Sequence, residues 1–92
     1  MIKPTVGRRV WYRPTAAERH YEHDQPFDAG ITHVWNDNCV NLMVVDEAGN
    51  KLPGKTSVTL AQDRPAQPGE CEWMPYQKRQ EEPIVGIPMP SA

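Results

Sequence analysis

The stretch from Ala29 to Leu60, AGITHVWNDNCVNLMVVDEAGNKLPGKTSVTL, limits the possible folds more than any other part of the chain. It holds three short apolar or alternating runs, separated by NDN at residues 36–38 and by DEAGN at residues 46–50. Asn, Asp and Gly favour tight turns because they accept positive φ angles. The pattern therefore predicts strand, turn, strand, turn, strand in a small antiparallel β domain.

Alternation of apolar and polar residues along the whole chain predicts five strands. They cover residues 6–12, 28–35, 39–46, 55–62 and 71–76. The third is apolar on both faces, which is typical of a central strand or of one that a loop covers. Curling such a sheet shields its edges and surrounds a single core. We therefore expect an all-β fold, a small five-stranded antiparallel SH3-like barrel.

Two segments fall outside the predicted strands. Residues 14–26, PTAAERHYEHDQP, are predicted to form a long first loop with at most one helical turn, which Thr15 caps with Glu18 three residues later. Residues 77–92 contain three prolines and are predicted to be an extended C-terminal tail. The chain then divides into a barrel domain at residues 1–76 and this tail.

The composition limits the class of protein. A length of 92 residues allows one domain with a small core. Ten Lys and Arg residues against twelve Asp and Glu residues give a net charge of −2, whereas a general nucleic-acid binder carries a basic excess. The chain has no apolar run of secretory or membrane-spanning length. With two cysteines, Cys39 and Cys71, we expect a cytoplasmic protein with reduced, buried thiols and no membrane association.

Four blocks of sequence carry a resemblance. They are PTVGRRVWY at residues 4–12, THVWNDNCVNLMVVDEAGN at 32–50, TSVTLAQD at 56–63 and CEWMPYQ at 71–77. In this order they resemble a group of small phage- and prophage-encoded proteins of uncharacterised function, over most of residues 4–78. The resemblance implies a virus-borne accessory protein with an SH3-like barrel that acts in the bacterial cytoplasm. It implies no catalytic residue and no ligand.

Three histidines raise the question of a metal site. His20 and His23 have an H-x-x-H spacing in the first loop, and His33 lies on the second predicted strand. Imidazoles with a neighbouring carboxylate suit zinc, which binds nitrogen, sulfur and oxygen ligands in tetrahedral geometry. H-x-x-H is common by chance in polar loops, and neither cysteine belongs to a C-x-x-C pair. We therefore predict solvated loop histidines, a partly buried and hydrogen-bonded His33, and no metal or cofactor.

Motifs for catalysis are missing from the sequence. The chain has no Gly-rich phosphate loop, no G-x-S-x-G and no H-E-x-x-H. Cys39 and His33 resemble a nucleophile and a base, but they lie on opposite sides of a predicted tight hairpin without an orienting group. The sequence predicts a protein that is not an enzyme.

Aromatic and basic residues alternate on the first strand, where Arg9, Trp11 and Arg13 should project from one face within about 14 Å. Tryptophan and arginine are favoured anchors of protein interfaces. The alternative is structural, with Trp11 and Trp73 closing the two ends of the core and the arginines solvated. The predicted partner-binding residues are Arg9, Trp11, Tyr12, Arg13, Trp35 and Trp73, with Trp73 either in the core or at its rim.

These residues predict a non-enzymatic phage or prophage accessory module that binds a host protein through its aromatic and basic face. The same face suits a nucleic-acid or small-nucleotide binder, because aromatic rings stack on bases and arginines neutralise phosphates. A virion assembly component is a further alternative. A host protein is the partner that the sequence favours, because the net charge of −2 opposes a long polyanion.

Overall fold

The computed structural model describes residues 1–81 of the chain, with side chains as far as residue 79. The elements in chain order are β1 (Arg9–Tyr12), a 3₁₀ turn (Ala16–Glu18), β2 (Phe27–Asn36), β3 (Cys39–Val45), β4 (Lys55–Ala61), β5 (Cys71–Glu72) and α1 (Pro75–Glu81). The five strands form one closed barrel in sequence order. The predicted all-β fold, a small SH3-like barrel, is confirmed.

One pair of strands departs from the predicted antiparallel arrangement. Four pairs are antiparallel, but β4 and β5 run parallel, with Leu60 opposite Cys71 and Ala61 opposite Glu72. The physical reason is that five is an odd number. Strand directions around a closed ring of five cannot all alternate, so one neighbouring pair must be parallel. Parallel neighbours cannot be joined by a tight hairpin. Residues 62–70 therefore form a longer connection that carries the chain back to the start of β5.

The core lies inside the barrel and follows the two-residue period of the strands. On β1, Val10 and Tyr12 point inward, and Trp73 and Phe27 are the largest fully buried side chains. The other buried apolar members of this cluster are Ile2, Ala29, Ile31, Val40, Leu42, Val44, Val58, Leu60 and Cys71. Removing this one cluster from water is the main driving force for folding.

β2 changes its inward and outward alternation at Thr32. Ile31 lies opposite Leu42, whereas the next pair is His33 with Asn41, so β2 contains one extra residue at this point. An extra residue in one strand reverses which side chains face the core beyond it. His33 is therefore exposed, and the prediction that it is partly buried is wrong.

The β1–β2 loop, residues 13–26, contains a single 3₁₀ turn, as the sequence predicts. The Glu18 carboxylate accepts the Thr15 N–H at 2.9 Å, and the Glu18 N–H donates to the Thr15 carbonyl at 3.0 Å. These reciprocal contacts satisfy backbone groups at the start of the turn. The predicted pairing of Thr15 with Glu18 is confirmed.

A short helix replaces the end of the last predicted strand. β5 ends at Glu72, and α1 begins at Pro75, whose fixed φ and missing N–H suit the first position of a helix. The extended conformation predicted from residue 77 onward is therefore wrong for residues 77–81. The remainder of the predicted tail, residues 82–92, lies outside the described residues.

Gln77 attaches α1 to the barrel. Its Oε1 accepts the Met74 N–H at 2.7 Å, and its Nε2 donates to the Arg9 carbonyl at 2.9 Å. The side chain is buried, so the helix begins at a position fixed by β1. Within the described residues, no helix has the length and apolar character needed to cross a membrane.

Candidate functional site

Trp11 lies on the outer surface of the barrel, between two neighbouring strands. It is opposite Asp28 in β2 and Glu72 in β5, and its side chain is half-buried. The Arg13 guanidinium lies 5.6 Å from the centre of the Trp11 ring, which is within the range of a cation–π contact. Together with Arg9, these residues alternate with inward-facing neighbours, as the sequence predicts.

Both arginines beside Trp11 are paired with carboxylates. Arg9 Nε donates to Asp28 Oδ1 at 3.1 Å, and Arg9 Nη2 makes a second contact with Asp28 Oδ2. Arg13 Nε donates to Glu72 Oε2 at 2.6 Å, and the Glu72 side chain is buried. Paired contacts of this kind fix the guanidinium groups and offset their charge. The predicted basic face is therefore largely neutral.

Two of the six predicted contact residues belong to the core. Tyr12 is 3% exposed and Trp73 is 1% exposed. Tyr12 follows the inward parity of Val10 on β1, so the prediction that it contacts a partner is wrong. Trp73 Nε1 donates to Gln62 Oε1 at 3.1 Å, which satisfies the indole N–H of a buried tryptophan. Trp73 thus lies in the core, the first of the two positions predicted for it.

Trp35 lies near the end of β2 and is largely exposed to solvent, with 58% of its surface accessible. Its Nε1 donates to Asn41 Oδ1 at 2.8 Å, and the Ser57 N–H donates to the same oxygen at 2.8 Å. The His33 ring packs edge-on, with its centroid 4.5 Å from that of Trp35. The indole is therefore exposed but held in one orientation.

The half-buried Trp11 of β1 and the exposed Trp35 of β2 lie far apart on the barrel surface. Trp11 is opposite Asp28 of β2, and Trp35 lies seven residues after Asp28, or about 23 Å along an extended strand. Between them, the Arg9 guanidinium lies over Gly30, where an added Cβ would come within 2.8 Å of Arg9 Nη1. We call this surface the outer face and define it by Arg9, Trp11, Asp28, His33, Trp35 and Met43.

A cluster of histidines and carboxylates joins the β1–β2 loop to the turn after β3. His20 Nε2 lies 2.9 Å from Asp46 Oδ2, and His23 Nε2 lies 2.8 Å from Glu47 Oε2. The predicted solvated state is wrong for His23, whose side chain is 11% exposed, and His20 is also bonded although it is half-exposed. His33 lies on the outer face, so the three histidines do not converge.

The electrostatics of this cluster favour charged side chains. The hydrogen bond between His20 and Asp46 raises the pKa of His20 and lowers the pKa of Asp46. Burial alone would raise the pKa of Glu47, but hydrogen bonds from His23 and from the backbone outweigh it and lower that pKa. The sequence contains both halves of the cluster, H-x-x-H and Asp-Glu. The sequence does not show that these two halves are in contact, because His20 and Asp46 lie 26 residues apart in the chain.

A separate cavity of about 360 Å³ opens on the β1–β2 loop. It is lined by Ala16, Arg19, Tyr21 and Glu22. All four residues belong to the loop, so this cavity and the outer face are distinct features of the surface.

A scan against protein-family models, a search of curated protein sequences and a search of solved structures each found no match to this chain.

Proposed function

We propose that this protein is a non-enzymatic binding module that engages a partner protein through the outer face, with Trp35 as the principal anchor. The observation that carries the proposal is that the Trp35 indole is 58% exposed and yet fixed by its hydrogen bond to Asn41. Aromatic anchors of this kind dominate the binding energy of protein interfaces.

Preorganisation supports this role. Ordering a mobile side chain at an interface costs about 0.5–1.5 kcal/mol, and a side chain already held in place avoids that cost. Asn41 is itself held, because its Oδ1 also accepts the Ser57 N–H. Met43, 37% exposed on the neighbouring strand, adds an adaptable apolar contact on the same face.

The arginines favour a protein partner over a polyanion. Phosphate contacts require basic groups that are available to release counterions. Arg9 and Arg13 are instead paired with Asp28 and Glu72, and any phosphate would have to compete with these carboxylates. On this proposal the arginines position Trp11 and offer their remaining N–H groups to carbonyl or acidic groups of the partner.

The test is a pull-down of bacterial lysate with the tagged chain, with and without nuclease, followed by measurement of the Kd for the purified partner. Trp35→Ala and Trp11→Ala probe the outer face. Tyr76→Ala is the matched control, because Tyr76 is a 47% exposed aromatic residue on α1. All variants are first compared by circular dichroism and thermal unfolding.

We expect Trp35→Ala to weaken the interaction by at least about 2 kcal/mol, as the loss of a hot-spot residue does, while Tyr76→Ala leaves it unchanged. A partner retained equally by the wild type and Trp35→Ala overturns the proposal. Loss of the partner on nuclease treatment, with binding that weakens steeply as salt is added, replaces it with the nucleic-acid alternative.

The origin of the partner is a further proposal, since a bacterial host comes from the sequence resemblance alone. The cytoplasmic location is likewise a proposal, which depends on that resemblance and on the two cysteines. A lysate from a bacterium that carries such a prophage is therefore the appropriate source for the pull-down. The absence of enzymatic activity also stays a prediction from the missing motifs.

A further inference from the structure

Four side chains of metal-ligand type meet where the β1–β2 loop contacts the turn after β3. One ligand atom from each of His20, Asp46 and Glu47 lies within 4.8 Å of the other two. His20 Nε2 is 2.9 Å from Asp46 Oδ2 and 3.8 Å from Glu47 Oε1. His23 contacts the other carboxylate oxygen of Glu47, at 2.8 Å.

Backbone hydrogen bonds fix the orientation of the Asp46 carboxylate. Asp46 Oδ1 accepts the N–H groups of Ala48 and Asn50 at 2.9 and 2.8 Å, which leaves Oδ2 directed toward His20. The side chain of Asp46 is 5% exposed. These contacts hold the carboxylate in one orientation without any contribution from His20.

Glu47 supplies a second, independent observation. Its Oε2 accepts the His20 N–H at 3.0 Å and contacts His23 Nε2. Its Oε1 is buried, and within the described residues no hydrogen-bond donor reaches it. A buried carboxylate oxygen without a donor is costly, because its water has been removed and not replaced. A cation bound at this oxygen would remove that cost.

We propose that His20 Nε2, Asp46 Oδ2 and Glu47 Oε1 bind a divalent transition-metal ion, with Zn²⁺ as the best fit. Zn²⁺ takes nitrogen and oxygen ligands at about 2.0–2.2 Å, which places tetrahedral ligand atoms about 3.3–3.5 Å apart. The observed separations from His20 Nε2 fall on either side of this value. Both separations, 2.9 Å to Asp46 Oδ2 and 3.8 Å to Glu47 Oε1, lie within about half an ångström of the tetrahedral value.

The donor set discriminates among ions. Mg²⁺ and Ca²⁺ prefer oxygen ligands alone, whereas an imidazole with two carboxylates suits Zn²⁺ and its first-row neighbours. The His20 side chain is 55% exposed, so a water molecule completes the coordination from the solvent side. His23 does not bind the ion but orients Glu47, and its ring is held 4.8 Å from that of Tyr21.

The ion would fasten the long β1–β2 loop to the barrel. His20 and Asp46 are 26 residues apart in sequence, so the site closes a long segment of chain. Metal that binds the folded state and not the unfolded state stabilises the fold by an amount that grows with the logarithm of the free metal concentration above the Kd. This role is independent of the outer face and of any partner.

The first test is isothermal titration of the untagged, chelator-treated full chain with ZnSO4 alone, with MgCl2 as a parallel titrant. We expect saturable binding of one Zn²⁺ per chain, a Tm that rises with the free Zn²⁺ concentration, and no saturable binding of Mg²⁺. His20→Ala should weaken Zn²⁺ binding at least tenfold. His33→Ala is the matched control, because His33 is an exposed histidine outside the cluster, and it should bind as the wild type does.

A second readout follows the loop itself. Trypsin cleaves after Arg19, so Zn²⁺ should slow cleavage of the Arg19–His20 bond in the wild type and in His33→Ala but not in Glu47→Gln. His23→Ala should weaken binding about tenfold, as the loss of an orienting residue does. The proposal is overturned by the absence of saturable Zn²⁺ binding, by equal effects of His20→Ala and His33→Ala, or by loss of binding in Cys39→Ser.

Discussion

Tyr12 donates its phenolic hydroxyl to the Glu18 carboxylate at 2.8 Å, which joins the end of β1 to the 3₁₀ turn of the following loop. The same carboxylate accepts the Thr15 N–H and pairs through Oε2 with Lys55 of β4. The Lys55 ammonium also lies 5.7 Å from the centre of the Tyr12 ring. Glu18 therefore connects two strands and a loop that are distant in sequence.

Glu18→Gln should destabilise the fold by about 1–3 kcal/mol, because it weakens charge-assisted hydrogen bonds in a half-buried site. Tyr12→Phe should cost about 0.5–1.5 kcal/mol, since it removes one hydrogen bond and keeps the buried ring. Urea unfolding measures both free energies. If Tyr12→Phe destabilised the fold more than Glu18→Gln, Glu18 would not be the hub of this network.

The contribution of Glu18 should depend on pH. Burial alone would raise its pKa, but hydrogen bonds from Lys55, the Thr15 backbone and Tyr12 together lower it below the usual 4.5. A lowered folded-state pKa stabilises the fold above the unfolded value, and this stabilisation disappears as pH falls through 4.5 toward the folded pKa. The stability difference between wild type and Glu18→Gln should therefore be constant from about pH 5.5 to 7 and shrink below 4.5. A difference that grew on acidification would contradict the assignment.

Substitution by alanine should destabilise the fold strongly at Trp73 and hardly at all at Trp35. Trp73→Ala should cost about 3–5 kcal/mol and unfold much of the protein, because Trp73 is 1% exposed in a small core. Trp73→Phe should cost less and keep the chain folded, which makes the effect measurable by urea unfolding. Trp35→Ala should change stability by no more than about 0.5 kcal/mol, because the side chain is mostly exposed. Comparable losses at both positions would contradict the assignment of Trp73 to the core and Trp35 to the surface.

The two thiols should react at different rates. Burial is the main cause that raises the pKa of Cys71 to about 12, and its side chain is fully enclosed. Cys39 is half-buried at the start of β3. Since the thiolate is the reactive form, a thiol reagent should label Cys39 in the folded protein and Cys71 only after unfolding. Cys39→Ser should remove the fast phase of labelling, and Cys71→Ala should keep it. If both thiols of the folded protein were labelled at the same rate, the prediction would be wrong.

Ser57 is the one residue other than glycine with positive φ in the described chain, at 53°. Glycine adopts this conformation without strain, so Ser57→Gly should be close to neutral. Thr59→Gly, two residues along the same strand, is the matched control and should cost about 0.5–1 kcal/mol. Ser57→Val should be the most destabilising of the three, because a β-branched residue resists positive φ. Thermal unfolding ranks the stabilities of the variants. A larger loss of stability for Ser57→Gly than for Thr59→Gly would show that the backbone at Ser57 is not strained.

Local patterns in the sequence were sufficient for much of the fold. The turns around Asp37 and Gly49, the outward alternation of Arg9 and Trp11, and the pairing of Thr15 with Glu18 each depend on residues within a few positions of one another. The period of a strand and the chemistry of a turn are properties of neighbouring residues. The same reasoning placed Pro75 at the end of a strand, although it also suits the first turn of a helix.

The features that define the candidate sites required the tertiary structure. The extra residue at Thr32 reverses the direction of His33, and the partners of Arg9 and Arg13 come from β2 and β5. The contact between His20 and Asp46 spans 26 residues of chain. The sequence by itself determined which residues alternate and where the chain turns, because these preferences are local. Barrel closure decided which charges meet and which rings stay exposed, because those contacts join residues that only the register of the strands brings together.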